Sequence, residues 1–301
     1  MSEHDVKLIK EIQQAVTEAK TVKVTRDKFG YEIDHGSKLA KYKGTTGLLK
    51  GIPKPALVGW GINQVAGYAL EHIDAWKDLP KRDALALLKG APWRNRDGKG
   101  ERGSHIHDAI EAVSKGEPIP EDLTDDERCC VEGVQDLLTL RNSKTLASEV
   151  MGFNIDHGYA GTFDHWEVDR ETGTTWLLDW KSSKFVYPEN SVQMVAYQNF
   201  THVLLGAKVE RNKSDSYAMT ATGKLVEWKP EYAQRLAVVH VEPHQSTLYP
   251  VQPEYHGYLL DVFIAAMFIK DHMDNVDTWK RKAKINVFEE PISYGGKLDD
   301  K

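Results

Sequence analysis

The stretch from Gly161 to Tyr197 holds the residues of this chain best suited to chemistry. It reads GTFDHW, then LLDWKSSK with its aspartate fifteen residues after the first, then VQMVAYQNF. Asp164, Asp179 and Lys181 are the types that metal-assisted phosphodiester hydrolysis needs. Carboxylate oxygens hold a hard divalent cation, and an ammonium orients the attacking water or offsets charge on the phosphate. An acid-x-Lys triplet alone carries little weight, because it recurs at Asp5–Lys7, Glu18–Lys20, Asp97–Lys99 and Glu227–Lys229.

The setting of Asp179 is what separates it from those repeats. In the strand-like TTWLLDWKSS, residues two apart share a face. Leu177, Asp179 and Lys181 therefore project together, while Trp176, Leu178 and Trp180 fill the opposite face. Asp164 falls on the neighbouring strand of a meander, beside Gly161, which permits close backbone approach. Two carboxylates so placed repel unless a cation lies between them or one is protonated. Mg²⁺ or Mn²⁺ is the expected cation, taking carboxylate oxygens, a main-chain carbonyl (that of Trp180) and water. Gln193 and Tyr197, spaced i and i+4, are neighbours on the next helix beside the apolar stripe Val192, Ala196, Phe200 and Val203. They are candidates for a groove-facing pair that contacts DNA or supports the acids. Further candidates are His107 and Glu149 as metal ligands, and Arg102 and Lys184 as phosphate contacts beside the motifs. His105-x-His107 is a poor zinc pair, because positions two apart on a helix do not face one another.

The elements that must position these residues can be read from periodicity. A helix is expected over Glu3–Lys20, then a hairpin from TVKVTRD and YEIDHG around Lys28–Gly30. Two helical pieces follow, split at Pro53 and Pro55. APWRNRDGKGERG, with Arg94, Arg96, Lys99 and Arg102, reads as a basic loop leading into a helix with Ser104 as N-cap and Gly116 as stop. A helix capped by Thr124 comes next, then three antiparallel strands, LASEVMGFNID, AGTFDHWEVD and TTWLLDWKSS. The rest reads as a helix over NSVQMVAYQNFTHVLLG, strands RLAVVHVEP and TLYPVQP, and a long apolar helix before a polar tail.

Composition sets outer bounds. Of 301 residues, 28% are charged and 41% hydrophobic, as in an ordinary globular protein. No apolar run reaches the roughly 20 residues of a membrane-spanning helix, and the N-terminus lacks a signal-peptide core, so a cytoplasmic protein without a membrane partner is expected. The net charge of −6 argues against binding nucleic acid by bulk positive potential, though not against a local groove. Cys129 and Cys130 are the only cysteines, too few for a four-cysteine cluster.

Taken together, these residues resemble the PD-(D/E)XK nuclease superfamily, specifically its RecB-like branch. The matching residues run in the family's order: Gly103 with His107, Gly161 with Asp164, Asp179 with Lys181, and Gln193 with Tyr197. The segment TTGLLKGIPKPALVGW is also similar to phage-encoded exonucleases of the Cas-four-like type. The resemblance implies an α/β, restriction-endonuclease-like core with a mixed central sheet flanked by helices, over residues 101–278. A mostly helical region, 1–100, would pack on it, and 279–301 would form a tail. It implies a metal-dependent DNA exonuclease of phage recombination or processing, with Asp164, Asp179 and His107 on the metal and Lys181 catalytic. No iron–sulfur cluster is expected. The implied partners are DNA, with linear ends preferred, and a recombinase or single-strand-binding protein. A catalytically inactive DNA-binding relative and a structure-specific endonuclease are the alternatives.

Overall fold

Apolar residues alternate through the first 44 positions and build strands there, behind one amphipathic helix. The computed structural model describes residues 3–28, 30–34, 39–211 and 218–275, without the side chains of 3–9, 39, 95–99 and 211. Helix α1 (Glu3–Glu18) leads into β1 (Lys20–Asp27), β2 (Gly30–Asp34) and β3 (Leu39–Gly44). Val22, Val24, Tyr31, Ile33 and Tyr42 are the buried residues of these strands. Next come α2 (Thr45–Leu48), α3 (Pro55–Glu71), α4 (Ile73–Trp76), α5 (Lys81–Lys89), α6 (Ala91–Ser114) and α7 (Asp125–Leu140). The second half holds β4 (Ser143–Asn154), β5 (Tyr159–Asp169), β6 (Thr175–Lys181), α8 (Pro188–Gln198), β7 (His202–Arg211), β8 (Met219–Glu227), β9 (Arg235–Glu242), β10 (Gln245–Val251) and α9 (His256–Asn275).

The expected restriction-endonuclease-like core, an open mixed sheet flanked by helices, is overturned by the strand pairing. Strands β5, β3, β2, β1, β8, β7 and β4 are bonded in that order, and β4 pairs with β5, closing a seven-stranded barrel. Two short contacts make the closure: Gly152↔Val203 and Phe153↔His202 between β4 and β7, and the parallel Lys43↔Tyr159 and Gly44↔Ala160 between β3 and β5. Val24, Ile33, Met151, Phe153, Ala160, Leu204 and Ala221, drawn from six of the seven strands, pack into one buried cluster. The barrel is therefore filled by side chains. Strands β6, β9 and β10 extend outward from β5, with β6 and β9 parallel.

Two local expectations also change. HVLLGAKVER is a strand, because the apolar run Val203–Leu205 pairs with β8 instead of continuing α8; short apolar runs fit either period. The basic stretch expected as a loop lies within the 24-residue α6, which carries Pro92 in its first turn, so Ser104 is interior and caps nothing. Residue 100, the expected boundary, falls inside that helix, and the mostly helical stretch 1–100 also supplies β1–β3 to the barrel. The tail 279–301 lies outside the described residues.

Helices cover both faces of the outward strands. Ile106, Ala109 and Ile110 of α6 pack with Val131 and Val134 of α7 against Leu178, Trp180 and Val239. On the other side, Val192, Val195 and Ala196 of α8 and Phe263 of α9 meet Phe163, Leu177 and Leu236. Strand β5 and the end of β6 thus lie where α6, α8 and the barrel meet. No described helix is long and apolar enough to cross a membrane.

Candidate active site

Strand β5 runs between β4 and β6, and register sets one acid from each strand in a row. Ser148↔His165 and Val150↔Phe163 flank Glu149 and Asp164. The β5–β6 ladder reaches His165↔Leu178, and one further step brings Asp164 opposite Asp179. The backbone bends here: Glu149 has φ of +52°, the left-handed region that an unbranched acid rarely adopts. Such a conformation costs about 1–3 kcal/mol and persists only where the surroundings enforce it.

Helix α6 brings His107 to this row. Its Nδ1 lies 3.7 Å from Asp164 Oδ2. One ligand atom each from His107, Glu149 and Asp164 all lie within 4.8 Å of one another. The main-chain N–H of Trp180 donates to Asp164 Oδ2 at 2.7 Å and fixes that carboxylate. Trp180 was expected to offer its carbonyl; the contact it makes to the acids is through its N–H. Two carboxylates and an imidazole form a donor set of the kind that holds a divalent cation.

Asp179 is not among the three converging donors. Its carboxylate, almost fully buried, contacts the ammonium of Lys181, which projects from the same face of β6. Burial pushes the Asp179 carboxyl up to about 6; Lys181 pulls it back and neighbouring Asp164 adds to the rise. Burial also works against the Lys181 ammonium, but Asp179 and Asp164 outweigh it and hold the amine above its ordinary value. Asp179 and Lys181 therefore form one acid–base unit beside the His107–Glu149–Asp164 cluster.

Gln193 and Tyr197 support the row from beneath and do not line a groove. Both are buried, and Gln193 Nε2 donates to Tyr197 Oη at 2.5 Å. Burial raises the Tyr197 phenol well above its usual value, with Asp179 and Asp164 adding to it, so the ring stays neutral under the acids. Gly161 is required for this packing. A Cβ there would lie 2.6 Å from Tyr197 Cε1 and 2.8 Å from Thr45 Oγ1.

The expected basic contacts divide. Arg102 is ion-paired with Asp126 of α7, its Nε 3.2 Å from Oδ2, and ties two helices together instead of facing a phosphate. Lys184 is exposed, its Nζ 5.3 Å from the Phe185 ring centre. Arg94 lies over Tyr68, and the side chains of Arg96 and Lys99 fall outside the described residues. His105 faces away from His107: its Nδ1 is 3.3 Å from Glu127, in the capping box that Thr124 forms at the start of α7.

Sequence reasoning missed a buried ionic network further along β5. Glu167 accepts from Arg141 Nε at 2.7 Å and Ser143 Oγ at 2.6 Å, and His165 Nε2 lies 3.3 Å from its other side. The signal was present in DHWEVD, where His165 and Glu167 alternate with apolar residues as a shared strand face does.

No protein-family model and no curated protein sequence matches this chain.

Proposed function

We propose that this chain is a divalent-metal-dependent deoxyribonuclease, an exonuclease that degrades linear DNA during recombination or processing in the cytoplasm. The observation that carries the reading is the row Glu149–Asp164–Asp179 on three adjacent strands, with His107 above it and Lys181 on Asp179. A catalytic cluster needs charge that the fold alone would not choose, and here one of the acids is pushed up to about 6. The preference for DNA rests on the order of motifs in the sequence.

A divalent cation held by His107, Glu149 and Asp164 would supply Lewis acidity to a phosphate oxygen and acidify its water. Trp180 N–H keeps Asp164 aimed at that position. Asp179, with a carboxyl near 6, is ionised at neutral pH and can accept a proton from the attacking water. Lys181 presents an ammonium to the charge that builds on the phosphate in the transition state. Asp179 holds that ammonium in place, and the neutral Tyr197–Gln193 pair fills the space below without adding charge.

The test uses end-labelled linear, circular and single-stranded DNA with Mn²⁺ or Mg²⁺. Linear DNA should be degraded. Asp179→Ala and Lys181→Ala should each lower the rate by about 10²–10³-fold, as loss of a transition-state contact does, with the circular dichroism spectrum unchanged. Undiminished cleavage by either variant would sink the assignment. Tight DNA binding by the wild type with no cleavage under either metal would instead identify a binding protein.

A further inference from the structure

A second set of metal-ligating side chains lies away from the acids, where the β9–β10 hairpin meets α7. Cys129 and Glu132 are i and i+3 on α7 and share a face. His244 comes from the hairpin. One ligand atom from each lies within 4.8 Å of the other two. Glu132 and His244 are exposed and Cys129 partly buried, so the set is open to an ion from solvent.

The hairpin is built at some cost to place that imidazole. Glu242↔Gln245 is the last ladder pair, which leaves Pro243 and His244 as a two-residue turn. His244 has φ of +62° at the position where such a turn calls for glycine or asparagine. Its own N–H donates to Cys129 O at 3.1 Å and pins the turn to the helix. Gly133 lets the two come together: a Cβ there would sit 3.0 Å from Gln245 N, main chain against main chain. Helix and turn are thus held at fixed distance by backbone contacts, with three ligand side chains converging above them.

We infer that Cys129, Glu132 and His244 form a site for a borderline-soft divalent cation of the zinc class, which clamps the β9–β10 hairpin to α7. A thiolate with an imidazole and a carboxylate suits Zn²⁺ or Co²⁺ and is a poor match to Mg²⁺. Bond lengths of about 2.0–2.3 Å put donors around one zinc about 3.3–3.8 Å apart, so no pair has to close by more than about 1.5 Å, which side-chain rotation can supply. Water takes the fourth position. Binding converts the Cys129 thiol to thiolate and releases its proton to solvent. The acidic row offers no sulfur, and this separates the two sites spectroscopically.

Co²⁺ is titrated into reduced, metal-free full-length protein. The wild type should develop a near-ultraviolet thiolate-to-cobalt charge-transfer band at one equivalent, and Zn²⁺ should bleach it. Cys129→Ala should abolish the band. His244→Asn, which keeps a residue at ease with positive φ, should weaken cobalt binding at least about tenfold, since loss of even an outer partner of a ligand costs about 10–100-fold. Glu149→Ala and Cys130→Ala should leave the band intact. A wild type that gives no charge-transfer band, or a band that survives Cys129→Ala, overturns the site.

Discussion

Strand β5 carries two buried acidic clusters three residues apart, and they are built on opposite plans. Around Glu167 the protein supplies every partner: Arg141, Ser143 and His165 surround one carboxylate. Burial alone would raise Glu167, yet these partners reverse it and hold the carboxyl below its usual range. Around Asp164 three strands each contribute an acid, and Asp179 is driven up to about 6 despite the Lys181 contact. The first cluster is neutralised by the chain's own Arg141, although His165 Nε2 makes no hydrogen bond among the described residues, and it serves the fold. On the function proposed above, the second would be completed by a bound cation. On that reading, what separates a structural charge cluster from a functional one is whether the chain itself supplies the neutralising cation.

The largest effect that could break this contrast is on stability. Arg141→Ala removes the main cation from Glu167 and also the guanidinium stacked 4.7 Å from the Trp176 ring. Stranding a buried carboxylate should cost about 3–5 kcal/mol in denaturant unfolding, while cleavage by the folded fraction persists. The sign with pH follows from the depressed Glu167 pKa. The stabilisation is present above the unfolded carboxylate value and is lost as pH falls through the folded one, so wild type and variant should converge in acid. A loss below about 1 kcal/mol at neutral pH would mean the network is no more than a surface-type pair.

The second effect concerns pH and metal. Asp179 must shed a proton to act as a base beside a bound cation. At limiting Mn²⁺ the cleavage rate should therefore fall about tenfold per unit below pH 6. Raising Mn²⁺ should move that midpoint to lower pH, because the cation stabilises the ionised row. The stability sign is opposite to that of Glu167. A carboxyl raised in the folded state contributes stability below its unfolded value and loses it as pH rises through about 6. A flat rate between pH 5 and 7 at limiting metal would show, against the value of about 6 for Asp179, that no proton is lost there.

Much of the acid–base unit was legible in the sequence because strand alternation is local. Leu177, Asp179 and Lys181 had to share a face once TTWLLDWKSS was a strand, and the antiparallel meander placed Asp164 next to them. The barrel was not legible. Its closure depends on two-residue contacts such as Gly152↔Val203, which join segments far apart in sequence and leave no periodic trace. The burial of Tyr197 was missed for a related reason. A helix-edge position looks solvent-facing until Gly161, Thr45 and Phe200 close around it. Glu149 stood out only faintly in sequence, as an acid near the start of a strand. Its distinguishing property is a backbone angle, and nothing in the residue type announces it.

That angle gives the smallest and sharpest test. If Glu149 is held at φ of +52° to aim a carboxylate at Asp164, the fold carries a cost there for the sake of the site. Glycine occupies this region freely, so Glu149→Gly relieves the strain and removes one acid from the row. Against this, glycine loses more chain entropy on folding, which trims the gain. The net expectation is a metal-free protein more stable by up to about 1 kcal/mol. Glu149→Ala removes the same carboxylate but keeps the Cβ, so it should gain less. Both variants should weaken Mn²⁺ binding and slow cleavage alike. A glycine variant less stable than the alanine variant would show that the conformation is not strained, and that Glu149 is placed by packing instead of held for chemistry.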